Sequence, residues 1–215
     1  MNNLIQRVIT SIILLSIFLF SLFLNEYSWL ILLLISALFC FLEINNLFKK
    51  IWKKNNKKIY FMRFYWICFL IFFIYSGFKI SSNHYFLIFT ISVCTFSDIG
   101  GYTIGKIIGG KKLTKISPKK TISGSIGSFI FSLIPFNIFY YYNLHNDISF
   151  KKLLLITLLF SLFCQLGDLI ISYFKRMAKV KDTGKLLPGH GGVLDRIDGV
   201  IFTIPASFII YSTII

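Results

Sequence analysis

The sequence predicts an all-α, polytopic integral membrane protein of about seven transmembrane helices, and three observations predict it. Of its residues 56% are hydrophobic and only 14% are charged, whereas a soluble domain carries about 25% charged residues. Mean hydropathy is correspondingly high, at +0.75. Apolar runs of spanning length recur along the chain, since roughly 20 helical residues at about 1.5 Å each cross a hydrocarbon core about 30 Å thick. Finally, basic residues crowd alternate loops, as they do when Lys and Arg hold short loops on the cytoplasmic side.

The predicted spans are 8–24, 27–42, 64–78, 85–105, 122–142, 153–174 and 200–215. The first is longer than a signal peptide's apolar region and no small-x-small cleavage site follows it, so it reads as a retained anchor. With the N-terminus inside, the inner segments 1–7, 43–63, 106–121 and 175–199 hold every Lys and Arg except Lys79, Lys151 and Lys152. The net charge of +15 therefore lies mostly on one membrane face, where it attracts anionic headgroups and anionic cytosolic solutes. Nucleic acid is excluded as a partner, because no aromatic-interleaved soluble basic domain exists to hold it. Cys40, Cys68, Cys94 and Cys164 all fall in apolar spans without CxxC or Cys/His spacing and read as small apolar fillers. The organisation splits at about residue 85: 1–84 supplies N-terminal spans and a basic loop, and 85–215 is a core that carries the polar motifs.

Within the spans, an acid costs at least about 2.5 kcal/mol at mid-helix, so Asp98 and Asp168 mark a pathway or a site. In CQLGDLIISYFKR, helical spacing puts Gln165, Asp168, Ser172, Lys175 and Arg176 on one face. A plain pair between Asp168 and Lys175, two turns on, is the competing reading. Asp98 lies beside Ser97, Gly101 and Gly105, a small-xxx-small face that allows close helix approach. The chain then enters GGKKLTKISPKKTISGS, where Ser117-Pro118 favours a turn and five lysines from Lys111 to Lys120 precede a Gly- and Ser-rich helix start. That combination suits a polyphosphate, although the GxxxxGK[ST] spacing of a P-loop is missing.

In KDTGKLLPGHGGVLDRID, Pro188, Gly189, Gly191 and Gly192 surround His190, so backbone can approach a ligand without a Cβ in the way. Asp168, Asp195 and Asp198 can converge on hard divalent cations, and Lys175, Arg176, Lys181 and Arg196 can neutralise phosphates. The expectation is a cytosol-facing site for metal-assisted phosphoryl or nucleotidyl transfer. His190 is left open between touching substrate, orienting an acid and a structural role.

The segment 172–198, SYFKRMAKVKDTGKLLPGHGGVLDRID, resembles the signature of the phosphatidate cytidylyltransferase (CDP-diacylglycerol synthase) family. That signature reads S-x-apolar-K-R, four residues, K-D-x-small, then P-x-H-G-G-x-x-D-R-x-D. GDL at 167–169, the stretch 97–125 and the N-terminal RVITSIIL are also similar to the family. The resemblance implies transfer of CMP from CTP to phosphatidate, giving CDP-diacylglycerol and pyrophosphate, with Mg2+ as cofactor. It implies Asp168 and Asp195 as metal ligands with Asp198 nearby, and Lys175, Arg176, Lys181 and Arg196 on phosphates. Asp182 and His190 join the catalytic set by the same resemblance, with Ser117, Lys119, Lys120 and Thr121 at the nucleotide end and Gly191 and Gly192 on substrate. CTP, phosphatidate and membrane lipid are the implied partners, a homodimer is compatible with it, and the implied location is a bacterial inner (plasma) membrane with the site facing the cytoplasm. Two departures stand out: the chain is short of spans before residue 85, and Ile171 stands where the family often has Glu. A small transporter would need polarity on both faces, which the outer loops lack. The CDP-alcohol phosphatidyltransferase pattern D-G-x2-A-R-x8-G-x3-D-x3-D is missing.

Overall fold

A computed structural model describes residues 3–52, 57–114, 117, 120–144, 148–187 and 191–214, and within these the side chains between residues 9 and 213. The described residues form helices α1 (Asn3–Leu24), α2 (Glu26–Ile51), α3 (Lys57–Ile80), α4 (His84–Ile108), α5 (Ile122–Tyr141), α6 (Phe150–Met177), the short α7 (Leu194–Ile197) and α8 (Val200–Ile214), with no sheet among them. Every predicted span coincides with a helix. Five of these, α2 to α6, are long and apolar enough to cross a membrane by length and composition. The 15 residues of α8 rise about 22 Å, less than the roughly 30 Å of a hydrocarbon core. The protein is all-α and multi-pass.

Helices α2 and α3 outrun the spans predicted for them, α2 reaching Ile51 rather than residue 42 and α3 starting at Lys57 rather than 64. Hydropathy marks only the part of a helix that lies in apolar surroundings, while Lys and Glu are good helix formers and carry the same helix past it.

The chain divides into two compact units: Met1–Ser82 with Phe174–Ile197, and Asn83–Tyr173 with Asp198–Ile215. In the first unit α2 packs on α1, α3 and α7. Asn25 and Ser28 cap α2 reciprocally, Ser28 N–H donating to Asn25 Oδ1 at 2.7 Å. Its buried seam runs Trp29, Leu33, Ala37, Cys40, Ile44 and Leu47, a helical stripe, and the Trp29 indole N–H donates to the Gly77 carbonyl of α3 at 2.9 Å.

In the second unit α4 packs on α5 and α8. Gly100, Gly101 and Gly105 of α4 meet Gly124 and Gly127 of α5 so closely that a Cβ at Gly124 would lie 3.3 Å from the Gly105 Cα and 2.7 Å from the Gly101 carbonyl oxygen. The small face predicted on α4 is therefore real but shared. Gly101 and Gly105 face α5, whereas the Ser97 hydroxyl bonds Ser161 of α6 at 2.9 Å.

Candidate active site

Each unit contains a polar cluster. That of the first unit forms where α6 ends. There Lys179 adopts a left-handed φ of 55°, Val180 N–H donates to the Lys175 carbonyl and Lys179 N–H to the Arg176 carbonyl, each at 3.0 Å. This is a Schellman closure, and it reverses the chain directly after Lys175 and Arg176. Leu187 and Gly191 then exchange backbone hydrogen bonds of 2.8 and 3.2 Å, which starts the return to α7. Gly191 sits at φ 89°, a conformation that a side chain rarely adopts.

The turns deliver Asp195 to Lys175. The Lys175 ammonium lies 2.8 Å from Asp195 Oδ1, while Oδ2 accepts from Thr183 N–H at 2.7 Å and Gly192 N–H at 3.0 Å, with the Thr183 hydroxyl also at 3.0 Å. The Asp195 side chain is only 5% exposed. Burial by itself pushes its acidity down, but the hydrogen bond from Lys175, the Gly192 amide, the Lys175 charge and the Thr183 amide outweigh it and hold the carboxyl below its ordinary pKa.

One further acid completes this cluster. Glu43, buried in the α2 seam, accepts from Val193 N–H at 2.9 Å through Oε1, and from Leu194 N–H at 3.0 Å and the Thr183 hydroxyl at 2.6 Å through Oε2. Sequence reasoning placed residue 43 at the edge of a loop and passed over it. Its register supplied the available signal, since Glu43 falls between Cys40 and Leu47 on a stripe where a lone acid needs partners.

In the second unit Asp168 of α6 pairs with Lys120 and accepts from the Ser172 hydroxyl at 3.2 Å. Lys175, the partner weighed for Asp168 in the sequence, pairs with Asp195 within the first unit. Asp98 of α4 lies within electrostatic reach of Asp168 and Lys120 and accepts from the Cys164 thiol at 3.5 Å. A ladder of hydroxyls and an amide continues the polarity: Ser125 to Gln165 at 2.6 Å, Gln165 to Ser161 at 3.3 Å, Ser161 to Ser97 at 2.9 Å. Antiparallel backbone bonds from Leu113 N–H to the Lys120 carbonyl and from Ile122 N–H to the Lys111 carbonyl set the loop that presents Lys120. Ser117 is buried in that loop, and the Thr121 hydroxyl caps α5 by accepting from Gly124 N–H at 3.1 Å.

The remaining expected residues distribute as follows. Arg176, Lys181, Asp182 and Arg196 are exposed in the first unit. In the second unit Asp198 Oδ1 accepts from Gly199 N–H at 3.0 Å. Lys119 and His190 lie outside the described residues, as do Pro118, Pro188 and Gly189. At the two glycines expected on substrate, a Cβ at Gly191 would lie 2.9 Å from Asp195 Oδ2, and one at Gly192 would run into the Glu43 carboxylate. Among the described residues no three His, Cys, Asp or Glu side chains gather as a ready-made metal cage.

The model of the cytidylyltransferase family matches residues 52–214. Proteins named phosphatidate cytidylyltransferase from Staphylococcus haemolyticus and Staphylococcus aureus (strain COL) are each 43% identical to the chain over 127 residues, which is 58% of this chain and 48% of each relative. The namesake from Staphylococcus saprophyticus is 42% identical over the same length. The chain thus spans about half the length of the curated relatives it matches. With the family match running over residues 52–214 and taking in the whole signature segment, the chain belongs to the cytidylyltransferase family.

Proposed function

We propose that the protein transfers CMP from CTP to phosphatidate, giving CDP-diacylglycerol and pyrophosphate, at the cytoplasmic face of a bacterial plasma membrane. The observation that carries the reading is the part-buried Lys175–Asp195 pair inside the signature segment of a cytidylyltransferase-family chain. Relatives bearing the phosphatidate cytidylyltransferase name support the choice of substrates.

The reaction forms a bond between a phosphatidate phosphate oxygen and the α-phosphorus of CTP and breaks the bond from that phosphorus to the bridging oxygen of pyrophosphate. No strong base is required, because a phosphomonoester is already anionic near neutral pH. What the protein must supply is positive charge on oxygens that gain it. Lys175 donates one of its three N–H groups to Asp195, which leaves the others for phosphate oxygens, and the pair costs Lys175 the freedom to wander. Arg176, Lys181 and Arg196 are proposed for the remaining phosphate charge in the first unit, and Lys120 in the second. Asp182 and Asp198 keep the roles the resemblance implies, as does Ser117.

Mg2+ is part of the proposal, and the donor set fits it at Asp168. Mg2+ binds through one or two carboxylates together with waters and substrate phosphates and needs no protein cage. The Asp168 side chain is 31% exposed and, among the described residues, holds Lys120 and Ser172, whereas Asp195 Oδ2 is filled by two backbone N–H donors. Asp168 would therefore hold the ion, which would supply charge neutralisation to the transferring phosphoryl group.

The experiment is incubation of the purified, detergent-solubilised protein with CTP, phosphatidate and Mg2+, scored for a lipid-extractable cytidine product. Product that needs all three components and disappears with EDTA is the expected result. Absence of product from folded protein, beside an active relative, would overturn the reading.

A further inference from the structure

We propose that Glu43 is a positioning residue of the cytidylyl-transfer site: lying outside the signature, it fixes the signature loop and, through Thr183 and Asp195, the ammonium group of Lys175. The inference deepens the proposed function and rests on that reading for its catalytic consequence.

Glu43 belongs to α2, far from the signature in sequence, in a seam otherwise made of Trp29, Leu33, Ala37, Cys40, Ile44 and Leu47. A buried carboxylate in such a seam is costly unless its oxygens are filled. All three of its partners are donors: the Val193 and Leu194 amides and the Thr183 hydroxyl. Only an acceptor-only group satisfies all three. A glutamine of the same size would turn its NH2 toward at least one backbone N–H.

The glycines of the signature fit the same account. A Cβ at Gly184 would stand 2.7 Å from Glu43 Oε1, and one at Gly192 would collide with Oε2 and with the Thr183 hydroxyl. Two small positions of the motif are thus the room that the Glu43 carboxylate occupies.

From Glu43 a continuous line of contacts reaches the cation. The Thr183 hydroxyl lies 2.6 Å from Glu43 Oε2 and 3.0 Å from Asp195 Oδ2. Its single proton serves the nearer oxygen, which ties Thr183 to α2 while its own N–H holds Asp195 at 2.7 Å. Asp195 Oδ1 in turn holds Lys175 at 2.8 Å. Removing the Glu43 charge frees the Val193 and Leu194 amides, lets Thr183 rotate and loosens the carboxylate against which Lys175 is set.

The test uses the full-length protein in detergent, with E43Q and T183V as the two variants and T183S as the conservative control. Integrity is read first, by elution profile and thermal midpoint. Folded E43Q is expected to lose about tenfold or more in kcat/KM, with the KM for phosphatidate raised as well as kcat lowered. Loss of folded protein alone would lower kcat and leave KM where it was. T183V should show the same pattern and T183S should stay near wild type. Amide hydrogen exchange provides an arm independent of activity: residues 191–195 should exchange at least about tenfold faster in E43Q while α3 is unchanged. If E43Q does not fold, T183V is read in both arms. Wild-type kinetics together with unchanged exchange would overturn the proposal. A wild type that makes no product would sink the substrate reading, and exchange would then decide on Glu43: acceleration at 191–195 upholds the clamp and no change overturns it.

Discussion

Asp195 shows how much of the site depends on single carboxylates. It holds one ammonium and two amides at once, and an Asn there would aim its NH2 at one of these donors while leaving the part-buried Lys175 without its charge partner. D195N should therefore lose turnover by at least about a hundredfold and cost about 2–4 kcal/mol of stability. Product formation and the thermal midpoint check the two parts. The pH dependence follows from the sign of the shift. A carboxyl whose folded pKa lies below its unfolded value, ordinarily about 4, contributes stability that is complete above that value and is lost as pH falls through the folded pKa. The gap between wild type and D195N, measured as thermal midpoints, should be widest near neutrality and close in acid below about pH 4. A gap that widened in acid would contradict the Lys175 pairing. Ile171 is a second informative residue: it is 0% exposed, so the apolar side chain suits its position, and I171E would bury a carboxylate at a cost of several kcal/mol, seen as loss of folded protein.

At the scale of elements, the close approach of α4 and α5 depends on missing side chains. A Cβ at Gly127 would lie 2.7 Å from the Gly100 carbonyl oxygen and against Ile104, so G127L must part the two helices. A fall of about 2 kcal/mol or more is expected, read as a lowered thermal midpoint in detergent. Gly110 is the contrast, since at φ 98° it has nothing within 4 Å. G110A should cost about 1–2 kcal/mol through backbone strain alone. Much at this scale was legible in the sequence. Small residues every four positions announced a close helix contact, and the apolar runs located all the spanning helices. The extension of α2 to Ile51 was not legible, because polarity hides a helix once it leaves apolar surroundings. Glu43 was lost with it. An acid directly beyond the apparent end of a span reads as loop charge until the loop that fills its oxygens, 150 residues along the chain, is seen to fold back on it. The small size of Gly184 and Gly192 was plain in the sequence, but not that a Cβ at either would meet the Glu43 carboxylate of α2.

For the whole molecule, the loop charges are the strongest statement the sequence makes, and they predict a direction across the membrane. Lys181 belongs to a loop assigned to the cytoplasm, Lys151 to the other side. In a background without the four cysteines, K181C should react with an impermeant maleimide only after the cells are permeabilised, and K151C should react in intact cells. The reverse pattern would move the signature segment away from cytosolic CTP. The central claim concerns a particular phosphorus atom, and labelled CTP tests it directly. With label in the α-phosphate, incubation with phosphatidate and Mg2+ should carry radioactivity into the lipid extract; with label in the γ-phosphate, it should remain in the aqueous phase as pyrophosphate. Lipid labelled by the γ-phosphate and not by the α-phosphate would show phosphoryl rather than cytidylyl transfer and contradict the account.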